Sequence, residues 1–355
     1  MSLHAILEQH WQRPKWWLTP LLWPLARLFQ ALAALRRYAY ARGWLQQQHL
    51  PCAVAVVGNI HAGGVGKTPI TAALASGLRA RGVAVGIVSR GYGRRSKEVL
   101  LLDQYSRAAD VGDEPLMLWR QTGVPVAVGA QRFQAAQALL AAHPQTQLIL
   151  CDDGLQHYAL ARDWEIVVFP AADAVRRLDL LRPDLLRLDL LPNGGLREPL
   201  SRLHTVDALV VSQGSADDVA RLRQNQGLPP QLLVCASRIR AGRLYRLNTP
   251  AHTVTAGELA GKPIAALAAI ARPQRFFDAL RDLGLPPVLC KALPDHAELT
   301  PADLPVAEIV IITEKDAVKL AAYDLPQVWV LPIEAHTEPD LVEWLWRCWR
   351  VRQAA

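Results

Sequence analysis

Eleven consecutive residues, Gly58, Asn59, Ile60, His61, Ala62, Gly63, Gly64, Val65, Gly66, Lys67 and Thr68, place glycines, a lysine and a hydroxyl at a spacing suited to gripping phosphate. Glycines let successive backbone N–H groups turn toward one anion. Lys67 would then reach the outer phosphates of a nucleotide, and the Thr68 hydroxyl would hold Mg²⁺. The strict form of this loop has glycine five residues before Gly66, where this chain has His61. The ordinary alternative is a Gly-rich surface turn, which leaves Lys67 and Thr68 without a purpose.

Three acidic sites could serve such a loop. Asp152 and Asp153 follow four apolar residues, as an acidic Mg²⁺ partner of a phosphate loop does at a strand end; paired acids are also common turn residues. Gly154, Leu155, Gln156 and His157 follow them. Asp113 and Glu114 could supply a carboxylate near an attacking hydroxyl and another near a metal, or could simply offset a helix dipole. Asp295 and His296 read as a solvated loop unless His296 reaches Asp113, where it could orient and polarise that carboxylate. Arg90, Tyr92, Arg132, Asn193 and Arg197 stand at strand ends or in Gly-rich turns, where arginine can grip phosphate bidentately or form a surface ion pair. Thr313-Glu314-Lys315-Asp316 approximates a guanine-reading pattern, but its lysine and aspartate are adjacent rather than separated.

Positioning these groups requires strands that end where they begin. The apolar run 52–57 precedes the glycine loop, and a helix over about 69–81 follows it. Further strands are expected at 83–89, 125–128, 147–151, 165–169 and 206–212, alternating with helices, which implies a mostly parallel α/β sheet. Segments 232–238 and 243–247 read as a hairpin connecting two domains. A second α/β set follows, with strands at 263–270, 288–293, 309–313 and 328–331 and helices at 274–283 and 340–350. The expected organisation is a membrane-interface region over 1–45, a phosphate-loop core over 46–230, a linker over 231–248, a smaller domain over 249–335 and a terminal helix over 336–355.

The 355 residues, 51% hydrophobic and 20% charged, describe a folded chain long enough for two domains. A net charge of +7 permits an anionic partner without choosing one. Five widely spaced cysteines with no CxxC pair lead us to expect neither zinc nor disulfides, as suits a reducing cytosol. The first residues do not read as a secretion signal, since no short apolar core is followed there by a small-residue cleavage site. Leu21, Leu25, Leu28, Leu32 and Leu35, joined by Leu22 and Phe29, form one stripe of an amphipathic helix, with Arg27 and Gln30 off it. Trp11, Trp16, Trp17, Trp23 and Trp44 lie near its ends among Arg13, Lys15, Arg36, Arg37 and Arg42. That pattern suits a helix lying in a membrane interface; packing on its own domain is the alternative.

Taken in order, GNIHAGGVGKTP, SRGYG, GDEP, DDGLQH, LPNGGLREP, PDHAELT and TEKDAVK resemble the tetraacyldisaccharide 4′-kinase (lipid A 4′-kinase) family, over about residues 18–332. The resemblance implies a P-loop α/β/α sandwich with a second, smaller α/β/α domain joined by a two-stranded linker. It also implies transfer of the ATP γ-phosphoryl group to the 4′-hydroxyl of a tetraacylated glucosamine disaccharide 1-phosphate. The implied cofactors are ATP and Mg²⁺. The implied partners are the glycolipid and a membrane surface, without nucleic acid, for a monomer on the cytoplasmic face of the bacterial inner membrane. Carried over residue by residue, Asp113, His296 and Lys67 are catalytic, residues 58–68 bind the nucleotide, and Thr68, Glu114, Asp152 and Asp153 organise the metal. Arg90, Tyr92, Arg132, His157 and Asn193 contact the lipid. Ala297 and Leu155 depart from the family pattern by replacing aromatics. A switch-type ATPase is the main rival reading, but such proteins carry a lysine just before the paired glycines, where this chain has Ala62.

Overall fold

A computed structural model describes residues 3–12, 15–174 and 188–354. The chain forms two compact units: residues 1–87, 145–238 and 336–355 make one, and residues 88–144 and 239–335 make the other.

The first unit is built on parallel strands in the order Leu233–Ala241, Ala208–Ser212, Trp164–Pro170, Ala53–Gly58 and Leu148–Asp152, with Val85–Ser89 next in line. Every residue of Ala53–Gly58 and Leu148–Asp152 is buried. Their unbroken apolar runs therefore mark strands covered on both faces rather than alternating ones. Helix Lys67–Ala80 follows the first of these strands and buries Ile70, Leu74 and Leu78 at helical spacing.

Helix Thr19–Ala41 divides its apolar residues between two faces. Leu22 and Ala26 are buried and Phe29 is half-buried, whereas Leu21, Leu25, Leu28, Leu32 and Leu35 are each at least half exposed. Leu22 and Phe29 therefore leave the expected stripe: Ala26 lies four residues after Leu22 and Phe29 three after Ala26, which places all three on the inward side. Arg27 pairs with Asp189 and donates to Gln30 at 2.8 Å. Trp16, Trp17, Trp23 and Trp44 are exposed; Arg13 lies outside the described residues. No described helix is long and apolar enough to cross a membrane.

The second unit holds a six-stranded sheet in the order Thr249–Val254, Leu244–Arg246, Val328–Leu331, Ile309–Thr313, Ile264–Ala268, Leu289–Ala292. Its last four strands are parallel, and the two-stranded Thr249–Val254/Leu244–Arg246 ribbon is antiparallel. Apolar clusters cover it, one around Phe276, Phe277 and Trp329 and another around Leu267, Ile312 and Leu320. Gly112, at φ 95°, separates the short helix Ala108–Val111 from helix Asp113–Thr122, which packs on helix Glu314–Leu320.

The expected hairpin between 232–238 and 243–247 does not form. Leu233–Ala241 instead neighbours Ile333–Glu338, and Leu244–Arg246 joins the six-stranded sheet. Gly242 N–H donates to the Pro332 carbonyl at 2.9 Å, keeping the chain beside the 333–338 strand instead of folding back. These two neighbouring strands carry the chain between the units as a two-stranded linker.

Candidate active site

In the first unit, the glycine loop leaves strand Ala53–Gly58 and ends at Gly66, which caps helix Lys67–Ala80 with φ 89°. That left-handed conformation is cheap only for glycine. The first half of the loop is clamped: Ala62 N–H donates to the Gly195 carbonyl at 2.7 Å, and Arg197 N–H donates to the Ile60 carbonyl at 2.6 Å. A side chain at Gly63 or Gly64 would meet nothing within 4 Å, so the second half borders open space. Its N–H groups and the helix N-terminus would suit an anion cradle.

His61, which replaces the expected glycine, turns inward. Its Nε2 lies 3.1 Å from Asp173 Oδ2, and its ring meets Phe169 edge-on at 5.0 Å. Only the backbone of this residue is left to take part in the cradle.

Lys67 Nζ lies 3.4 Å from Asp153 Oδ1, which Arg197 also approaches at 3.6 Å. Asp153 has φ 50°, an unusual backbone for a non-glycine residue. Asp152 is buried, and its Oδ1 accepts the Thr71 hydroxyl at 3.0 Å. Among the described residues no group of three or more His, Cys, Asp or Glu gathers as a protein-only metal cage. Mg²⁺ is commonly held by one or two protein groups together with substrate phosphates, and the carboxylates of Asp152 and Asp153, the latter beside Lys67, offer that kind of donor. Gln156 donates to the Asn59 carbonyl at 3.0 Å and to Glu198 at 2.8 Å, tying the DDGLQH segment to the loop. His157 is half-buried in the same segment. The Asn193 side chain is fully buried; it donates to Asp189 at 2.8 Å and lies 3.4 Å from His10 Nε2.

In the second unit, Asp113 opens its helix just after Gly112. His296 Nδ1 lies 3.1 Å from Asp113 Oδ2, and Lys319 Nζ lies 3.4 Å from that same oxygen. Burial pushes the Asp113 carboxyl up, but the His296 hydrogen bond and the Lys319 charge outweigh it and leave the group below the ordinary aspartate value. Glu114 is paired with Lys315 at 3.3 Å. Tyr92 is exposed, and its ring centroid lies 5.4 Å from that of His296. Arg90 is exposed nearby in sequence. Arg132 is buried and donates to the Gly129 and Ala130 carbonyls. Burial and the Arg132 charge both push the Arg94 guanidinium below its usual value, and Arg94 donates to the Glu98 carbonyl at 2.6 Å.

Thus Lys67, Thr68, Asp152 and Asp153 share one unit, while Asp113, Glu114, Arg90, Tyr92, Arg132 and His296 share the other. Lys315 and Lys319 both lie in the TEKDAVK block, which carries the family resemblance without assigning a role to either lysine. Their spacing of four on helix Glu314–Leu320 puts both on one face and is the signal that was available.

Residues 18–350 match the Tetraacyldisaccharide-1-P 4'-kinase family. The chain is 54% identical over 341 residues to the tetraacyldisaccharide 4'-kinase of Neisseria meningitidis serogroup A, covering 96% of this chain and 94% of the relative. It is 47% identical over 346 residues to that of Chromobacterium violaceum, covering 96% of each. Among solved structures it is similar to LpxK from Aquifex aeolicus in complex with ATP, with a TM-score of 0.76 and 27% identity, covering 94% of this chain and 99% of that one.

Proposed function

This chain belongs to the tetraacyldisaccharide-1-P 4'-kinase family, and from that premise we propose how its residues divide the work. It is an ATP-dependent phosphotransferase acting on the 4′-hydroxyl of a tetraacylated glucosamine disaccharide 1-phosphate, the lipid A precursor. The 4′-oxygen forms a bond to the γ-phosphorus as the bond to the ADP oxygen breaks, and the hydroxyl proton passes to Asp113. The observation that carries this assignment is Asp113 itself, ionised and held through Oδ2 by His296 and Lys319. Its Oδ1 is then the oxygen to present to the acceptor hydroxyl.

Phosphoryl transfer depends chiefly on positioning and charge stabilisation. Lys67 and the N–H groups of the loop over 58–68 take the phosphate charge. Thr68, Asp152 and Asp153 would hold Mg²⁺, which when bound offsets charge on the phosphates. Arg90, Tyr92, Arg132 and His157 would face the lipid headgroup. Asn193 shapes the loop over 191–199 from within.

The outward leucines of helix Thr19–Ala41 would lie in the membrane interface, on the cytoplasmic face of the inner membrane. Each CH₂ moved into water costs about 0.8 kcal/mol, so an enzyme that comes to the bilayer avoids extracting four acyl chains. The test is transfer of label from γ-labelled ATP. Label on the lipid disaccharide supports the reading; release of inorganic phosphate alone, stimulated by a protein partner, overturns it in favour of a nucleotide switch.

A further inference from the structure

The His296 ring is gripped on both nitrogens. Nδ1 lies 3.1 Å from Asp113 Oδ2, and Nε2 lies 3.3 Å from Lys315 Nζ. An ammonium can only donate hydrogen bonds, and an ionised carboxylate can only accept them. One arrangement makes both bonds: the proton on Nδ1 and a lone pair on Nε2. A doubly protonated ring would set an N–H against an ammonium, and the opposite tautomer would set a lone pair against a carboxylate. Asp295 offers Nε2 no alternative acceptor, because its Oδ2 is 3.8 Å away and its Oδ1 accepts from Lys315 at 3.0 Å.

Lys315 is well placed to impose this choice. Its side chain is mostly buried and pinned by Asp295 and by Glu114 at 3.3 Å. His296 also has φ 60°, so its backbone is committed to the loop that delivers the ring.

We propose that Lys315 is a positioning residue that fixes His296 as the Nδ1–H tautomer, so that the imidazole donates to Asp113 Oδ2 and aims the carboxylate at the acceptor hydroxyl. The catalytic part rests on Asp113 being the proton acceptor; the tautomer itself does not.

The experiment uses the full chain labelled with ¹⁵N-histidine and read by long-range ¹H–¹⁵N correlation, with His296 identified by the signals that vanish in His296→Gln. The wild-type protein should show a protonated Nδ1 and a bare Nε2. Lys315→Met should replace that pattern and lower kcat roughly 10- to 10²-fold, as losses of orienting partners do, with KM for ATP little changed. Lys315→Arg, which keeps a donor, should restore the pattern and most of kcat. A doubly protonated or Nε2–H ring in the wild type overturns the proposal, and that spectrum decides even where Lys315→Met does not fold. An unchanged His296 pattern in a folded Lys315→Met overturns it as well. A wild-type chain that never phosphorylates the lipid would sink the kinase reading separately, since the spectrum does not depend on turnover.

Discussion

Asp153 Oδ1 is shared by two cations, Lys67 Nζ at 3.4 Å and Arg197 at 3.6 Å. One carboxylate thus pairs with the lysine that opens helix Lys67–Ala80, where the helix N-terminus would form an anion cradle. Phosphate oxygens entering that cradle would compete with Asp153 for the lysine. Lys67→Ala should therefore lower kcat/KM for ATP by roughly 10²-fold or more, in the range that loss of one charge-stabilising donor produces. Its melting temperature should stay near wild type, because Arg197 still balances Asp153. Steady-state kinetics with near-normal kcat/KM would remove Lys67 from the site.

The Asp113–His296 pair should behave as one unit. Asp113→Ala should cost roughly 10²–10⁴ in kcat, the usual range for a missing general base, while ATP binding measured by calorimetry persists. His296→Gln should cost less, and the double variant little more than Asp113→Ala alone; full additivity would argue against coupling. The pH dependence follows from the sign of the shift. Asp113 is depressed in the folded state, so the stability it contributes is present above the ordinary aspartate value of about 3.9 and is lost as pH falls through its lowered value. Between pH 5 and 8 this carboxylate should produce no limb in the kcat profile.

Much of the fold could be read from apolar runs closed by turn residues. Ile309–Thr313 and Val328–Leu331 have the limits that their sequences indicate, because buried parallel strands are unbroken apolar segments. Thr249–Val254 and Ile333–Glu338 carry no such run; the first contains Pro250 and is largely exposed, and the second mixes Glu and His with apolar residues. Their pairing depends on distant strands, which local pattern does not encode. The glycine loop was legible for the same local reason. The Asp113–His296 contact joins residues 183 apart, and its lysine partners come from yet another segment. Such a contact exists only once helix Asp113–Thr122 packs on Glu314–Leu320.

Glu314 should make stability fall as pH rises. Burial, reinforced by nearby Glu334, pushes its carboxyl up to about 7, although the Ile333 N–H donates to it at 3.0 Å and works in the opposite direction. A folded-state value raised above the unfolded one of about 4.3 means that the folded chain holds the proton more tightly. The stabilisation is complete below the unfolded value and is lost as pH climbs toward 7. Glu314→Gln keeps an acceptor for Ile333 and removes the charge. Urea denaturation should show the variant more stable at pH 8 by on the order of 2 kcal/mol and little different at pH 5. Equal stability at both pH values would contradict the burial argument.

The outward face of helix Thr19–Ala41 makes a prediction about membranes. Leu25, Leu28 and Leu32 are each at least half exposed, whereas Leu22 and Ala26 hold the helix to its unit. Replacing all three with glutamine removes apolar area that would enter the interface and leaves the inward contacts intact. Burying a leucine side chain is worth about 1.5–3 kcal/mol. Even partial insertion predicts at least a ~10-fold fall in vesicle partitioning, measured by flotation with anionic liposomes. Activity on detergent-dispersed lipid should be nearly unchanged. Undiminished flotation would return the leucines to an ordinary exposed surface.

Gly58 tests how tightly the phosphate loop is seated. It ends strand Ala53–Gly58, and a Cβ there would lie 2.5 Å from Leu155 Cβ and 3.1 Å from the Leu155 amide nitrogen. Leu155 is itself fully buried between Asp153 and Gln156, the residues that contact Lys67 and Asn59. Gly58→Ala must therefore push the DDGLQH segment away from the loop, since backbone and a buried Cβ cannot rotate aside as a side-chain tip can. Overpacking of this kind costs typically about 1–3 kcal/mol. The expected outcome is a lower melting temperature together with a raised KM for ATP, because the same displacement moves Asp153 relative to Lys67. Pairing Gly58→Ala with Leu155→Ala should not relieve the clash, since Cβ and the amide nitrogen remain. Gly63→Ala, whose Cβ meets nothing within 4 Å, lacks this clash and should lose only what its φ of 105° demands. A Gly58→Ala protein as stable as wild type would mean that the strand end and Leu155 are not packed as described.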